Sequence, residues 1–161
     1  MYRSRLAIVV ATVVAACVVV SSADAAFSGN VCGLLSAKQV ASVPVTPLKC
    51  SPMQTIKGPA STAYYGNWGG AAQAPHMLIS VVLYQSATFF SAAKSHLNVL
   101  PGPAKKVAGI GSAAYESSGG GLTVINFIVG KYIVDINMRT NQPLKSLAAF
   151  NALSMSVASK L

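Results

Sequence analysis

Hydrophobic and polar residues alternate along Leu122–Val129 and again along Tyr132–Arg139, with only Gly130-Lys131 between the two runs. A period of two marks strands with one face buried. A two-residue spacer containing glycine closes them into a β-hairpin. Closure at that point places Ile125, Phe127 and Val129 opposite Ile136, Val134 and Tyr132 on one face. Val124, Asn126 and Ile128 then oppose Asn137, Asp135 and Ile133 on the other. The first face is apolar and must be covered, whereas the second is mixed and wetter. Ser61–Trp68 and Met77–Tyr84 read as two earlier strands joined by a Gly/Ala/Pro-rich connection, and a short strand near Ala113–Glu116 precedes the glycine turn that ends at Gly121.

Helical signals stand between these runs. Ser36-Ala37-Lys38-Gln39 is a capping box, with Leu35 and Val40 spaced as a hydrophobic staple, and it predicts a short helix from Ala37 to Ser42. Pro44 and Pro47 end that helix, and the chain to Pro59 reads as a loop. Ser86 caps a second helix over Ala87–Leu97, with Phe90, Ala93 and Leu97 on one side. Pro101-Gly102-Pro103 marks a linker over residues 98–111. A last helix from Pro143 aligns Leu147, Phe150, Ser154, Val157 and Leu161, a stripe suited to covering the apolar hairpin face. Each half reads as hairpin then helix, a degenerate repeat. The predicted fold class is α+β: a single antiparallel sheet with helices packed on one face.

The N-terminus carries Arg3 and Arg5, an apolar run from Leu6 to Val20 broken by Thr12, and the small-residue exit Ala23-Asp24-Ala25. This order describes a secretory signal peptide cut after Ala25. Its apolar run falls short of the roughly 18–20 residues that span a bilayer. A competing route reads Val14-Ala15-Ala16-Cys17 as a lipobox and acylates Cys17, but Val18-Val19-Val20 continues the apolar run where lipoproteins turn polar. Residues 1–25 are therefore expected to be a leader and residues 26–161 a single exported domain, periplasmic or extracellular, with no transmembrane span after processing. In the alternative the domain is anchored through Cys17. Either route removes or lipidates Cys17 and leaves Cys32 and Cys50, which an oxidising compartment joins. That bridge is worth about 3 kcal/mol. Zinc is the poorer reading, since no histidine lies near the pair to complete a tetrahedral site.

Cys32-Gly33-Leu34-Leu35-Ser36 opening a capped helix, a second cysteine at Cys50, and the stretch Val107-Ala108-Gly109-Ile110-Gly111-Ser112-Ala113-Ala114-Tyr115 leading into a strand are together similar to a family of small exported proteins and lipoproteins, best known from actinobacterial envelopes. The resemblance implies a location in the cell envelope and a PsbP-like α/β sandwich. It implies no catalytic residues.

Charge narrows the function classes. Lys and Arg number 12 against 3 Asp plus Glu, and removing residues 1–25 leaves ten basic residues and two acids, Glu116 and Asp135. So few carboxylates leave little material for acid–base or metal chemistry. His76 and His96 fall in no recognisable triad pattern, so a small hydrolase ranks behind the binding readings, and the two acids read as surface residues. Gly109-Ile110-Gly111-Ser112-Ala113-Ala114 matches G-x-G-x-x-A, yet a proline-glycine linker precedes it and a strand follows, against the strand-then-helix setting a dinucleotide requires. Gly119–Gly121 reads as a turn rather than a phosphate cradle. No cofactor is expected. Tyr64-Tyr65-Gly66-Asn67-Trp68 is the densest aromatic cluster; alternation sends Tyr64 and Trp68 to one face, with Gly66 leaving a gap between them, and Tyr65 to the other. Tyr64, Tyr65, Trp68, Lys105 and Lys106 are the candidate binding residues, although core filling beneath a helix is the stronger reading of the larger aromatic pair. A dispersed basic surface suits an anionic envelope polymer or lipid, or another envelope protein. Arg139, the one arginine beyond the leader, offers little for specific nucleic-acid recognition.

Overall fold

A computed structural model describes residues 27–45, 49–69, 75–141, 144 and 146–161. The leader expected over residues 1–25, Cys17 included, lies outside the described residues. After a 3-10 turn, Val31–Leu34, the chain forms α1 (Ala37–Val40), β1 (Cys50–Pro52), β2 (Ile56–Lys57), β3 (Ser61–Gly69), β4 (His76–Tyr84) and α2 (Ala87–Ser95). It continues through β5 (Lys105–Lys106), β6 (Ala113–Gly119), β7 (Leu122–Val129), β8 (Tyr132–Arg139) and α3 (Ala148–Ala158). All eight strands join one sheet in the order β1-β3-β4-β8-β7-β6-β5, with β2 also on β3. Every pairing is antiparallel, so the α+β class with an antiparallel sheet holds.

Local signals produce the local structure. The Ser36 N–H donates to Gln39 Oε1 at 2.8 Å and the Gln39 N–H donates to Ser36 Oγ at 3.3 Å, which completes the capping box. The β7–β8 register is the predicted one, with Val129 opposite Tyr132 and Phe127 opposite Val134. Gly120 and Gly121, at φ +58° and +77°, form the two-residue loop between β6 and β7. Positive φ at both loop positions matches the right-handed strand twist and explains the glycines. Gly111 is demanded by a close approach as well as its φ of +55°, because a Cβ there would strike the Ile128 carbonyl.

Trp68, Met77, Ile79, Val81, Ile125, Phe127, Val134, Ile136 and Met138 line one sheet face. Phe150, Leu153 and Val157 of α3 cover it, together with Val31, Leu34, Leu35, Val40, Val43 and Val45 from the N-terminal segment. The C-terminal end of α3 is tied to that segment where Lys160 Nζ donates to the Leu34 carbonyl at 2.8 Å.

Several expectations change. The last helix begins at Ala148, not Pro143; Leu144 and Ser146 are non-helical, and Pro143 lies outside the described residues. Short strands β1, β2 and β5, read as loop, are completed by hydrogen bonds to distant partners that local propensity does not report. Helices do not share one face. Phe90 of α2 meets Tyr84 with ring centroids 5.8 Å apart at the end of β4, and the chain then crosses the second sheet face, where Asn126 Nδ2 donates to the Leu97 carbonyl at 3.3 Å. Leu97, Val124 and Ile128 are buried there, apart from the main core.

Candidate functional site

Antiparallel registers place side chains from six strands in one line across the second face. Tyr65 (β3) is opposite Ser80 (β4), Ser80 opposite Asp135 (β8), Asp135 opposite Asn126 (β7), Asn126 opposite Tyr115 (β6), and Tyr115 opposite Lys106 (β5). Paired residues share a face, and neighbouring strands lie about 4.8 Å apart. A second line two residues along carries Asn67, Leu78, Asn137, Val124 and Ser117. Tyr65, Asn67, Ser80, Asp135, Asn137 and Asn126 are all half-buried.

Asp135 is the centre of this polar row. It accepts a hydrogen bond from Asn137 Nδ2, and its strand neighbours Ser80 and Asn126 bring no cation. Burial without a compensating charge pushes its carboxyl up from 3.8 to about 6. Asn126 spends its amide N–H on Leu97, while its Oδ1 is buried with no hydrogen-bond partner. The chain after α2 therefore walls the row on the β7 side.

The residues singled out from sequence are divided between the two faces. Tyr65 and Lys106 belong to the polar row, Lys106 exposed at the sheet edge. Lys105, also exposed, points to the opposite side, across from Glu116. Tyr64 packs edge-on against Phe27 at 5.4 Å, and Trp68 is 2% exposed in the core, with no ring face to offer. The gap expected at Gly66 is filled: a Cβ there would meet Val31 Cγ1 at 3.0 Å, Trp68 Cζ3 at 3.2 Å and Cys50 Sγ at 3.3 Å. Cys32 and Cys50 are disulfide-bonded, with Cα atoms 5.6 Å apart, and the bridge seats the N-terminal turn over that glycine.

Neither acid is a freely exposed surface group. β6 extends past Glu116 and pairs it with Ile125, so alternation turns the carboxylate toward the core side, where it is 9% exposed with Oε2 unpartnered. Nor do the histidines join Asp135. His76 lies on the same face four residues before Ser80, roughly 13 Å along the strand, beyond direct hydrogen-bond reach, and His96 caps α2. Gly111 leads straight into β6, so no helix N-terminus follows the glycine motif. Among the described residues no three His, Cys, Asp or Glu side chains cluster as metal ligands, and no helix is long and apolar enough to cross a membrane. Ser80, Asn67 and Asn137 were not singled out from sequence. Their one local signal was a polar residue at each outward position, and their convergence required the β4–β8 pairing.

Family models, curated proteins and solved structures give no match to this chain.

Proposed function

We propose that this is an exported, noncatalytic cell-envelope protein that binds anionic envelope components through its basic surface. One observation carries the reading. Lys38, Lys49, Lys57, Lys94, Lys105, Lys106, Lys131, Arg139 and Lys160 are all exposed, while Glu116 and Asp135 are both withdrawn from the surface. An outer surface with this imbalance carries a positive potential that attracts polyanions and is screened by salt. The Cys32–Cys50 bridge supports an oxidising location. The capped turn after Cys32 and the loop leading into β6 support kinship with the small exported envelope proteins and their PsbP-like sandwich. The adjacent hairpins β3–β4 and β7–β8 support the degenerate repeat at the level of strands.

Co-sedimentation with vesicles tests the reading. The oxidised protein is expected to bind phosphatidylglycerol vesicles at low ionic strength, to release at high salt, and to ignore phosphatidylcholine vesicles. Lys57→Glu with Lys106→Glu, neither of which faces an acid across the sheet, should weaken binding while leaving stability within about 0.5 kcal/mol. Absence of binding to the anionic vesicles at low salt defeats the proposal.

Phe89, in the first turn of α2, and Val99, four residues beyond its end, are 60% and 69% exposed and favour a second reading, an inhibitor or effector that docks on another envelope protein. Salt-resistant co-purification with a single protein distinguishes it from the first.

A further inference from the structure

We propose that the polar row on the second sheet face is a binding site for a neutral saccharide, formed by Tyr65, Asn67, Ser80, Asp135, Asn137 and Asn126. The site is separate from the charge-driven surface, and its ligand class follows from the hydrogen-bonding groups left unspent. Ser80, Asn67 and the Tyr65 hydroxyl make no side-chain hydrogen bond among the described residues. Asn126 Oδ1 is buried and unpartnered, and Asp135 receives only the Asn137 amide. Two of these positions are pure acceptors, Asp135 and Asn126 Oδ1. Two others, the Ser80 hydroxyl and the Asn67 carboxamide, both donate and accept.

A ligand made only of acceptors, such as phosphate, would face the Asp135 carboxylate and leave both acceptors unsatisfied. An ammonium, a pure donor, would leave the Asn67 amide N–H groups and the Ser80 hydroxyl hydrogen without an acceptor. Neighbouring hydroxyls on a sugar ring donate and accept together, so they satisfy the whole set, and each buried group left unmatched costs binding. Leu78, Val82 and Ile133 on the same face, with the Tyr65 ring, supply apolar surface for the ring's C–H side. The Leu97 segment, fixed by Asn126, closes one end.

Nuclear magnetic resonance titration of the isotope-labelled, oxidised protein tests the site, with maltotriose, cellotriose and chitotriose as probes. Work at about 0.3 M salt screens the charged surface, so its behaviour toward anionic vesicles does not affect the result. At least one probe is expected to bind with Kd on the order of 1 mM, shifting the side-chain amides of Asn67, Asn126 and Asn137. Asp135→Asn and Ser80→Ala should each weaken that binding about tenfold or more, and Lys38→Ala with Lys105→Ala, both off the row, should leave it unchanged. A thermal melt of each variant shows that the fold is retained. Silence toward all three sugars at tens of millimolar (roughly ten times the expected Kd), shifts confined to the α3 side, or full affinity in Asp135→Asn overturns the proposal. So does a doubled solution mass with the row protected from solvent, which would make a second copy of the chain its occupant.

Discussion

Replacing Asp135 by asparagine should make the protein more stable at neutral pH. The carboxyl titrates near 3.8 in the unfolded chain and near 6 in the fold, because burial disfavours its charged form. Between those values the folded protein holds a proton that the unfolded chain has released. Stability therefore falls as pH rises through that window, and the loss is complete above about pH 6. Roughly two pH units at 1.36 kcal/mol each set the loss at about 3 kcal/mol. Asparagine removes the charge and keeps an acceptor for the Asn137 amide that Asp135 now accepts. No cation stands to be orphaned: Ser80 and Asn126 flank the position, Tyr65 lies one strand beyond Ser80, and Arg139 lies four residues along the strand. Urea unfolding near pH 7.5 should give Asp135→Asn an advantage of about 2–3 kcal/mol at unchanged m. That advantage should close as pH falls to about 2.5, well below 3.8, where aspartic acid is protonated in both states. Equal or lower stability at pH 7.5, or an advantage that does not change with pH, would refute burial as the cause. The same variant should lose saccharide binding, which separates the carboxylate's use from its effect on folding.

Two further outcomes probe the N-terminal cover. Cys32→Ser with Cys50→Ser should cost about 3 kcal/mol in urea unfolding, because the bridge constrains a loop set by a sequence separation of 18 in the unfolded chain; a loss under about 1 kcal/mol would contradict this. Gly66→Ala should cost about 1–3 kcal/mol through overpacking against Val31, Trp68 and the Cys50 sulfur. Its cost should shrink in a Val31→Ala background, and purely additive values would show that Val31 is not the obstacle.

Local features were legible in the sequence wherever a signal and its partner lie close in the chain. The capping box at Ser36–Gln39 and the β7–β8 register are both present as read. Alternation correctly separated Tyr64 and Trp68 from Tyr65 but was silent on whether a face is core or surface. Trp68 is buried because a segment more than thirty residues earlier, held by the Cys50 bridge, lies over it. Glu116 was misjudged because β6 continues for three residues beyond it, carried by pairing with β7 through a glycine-rich turn.

By itself, the sequence determined which side chains share a strand face and how hairpin partners align, since pleat and turn geometry act over a few residues. Tertiary structure alone decided that β4 pairs with β8, and hence that Ser80 and Asp135 are neighbours, a contact between residues 55 positions apart. It also decided which face receives α3 and which receives the chain after α2. Those choices depend on burying a whole apolar face at once, a sum over distant elements that no local pattern contains.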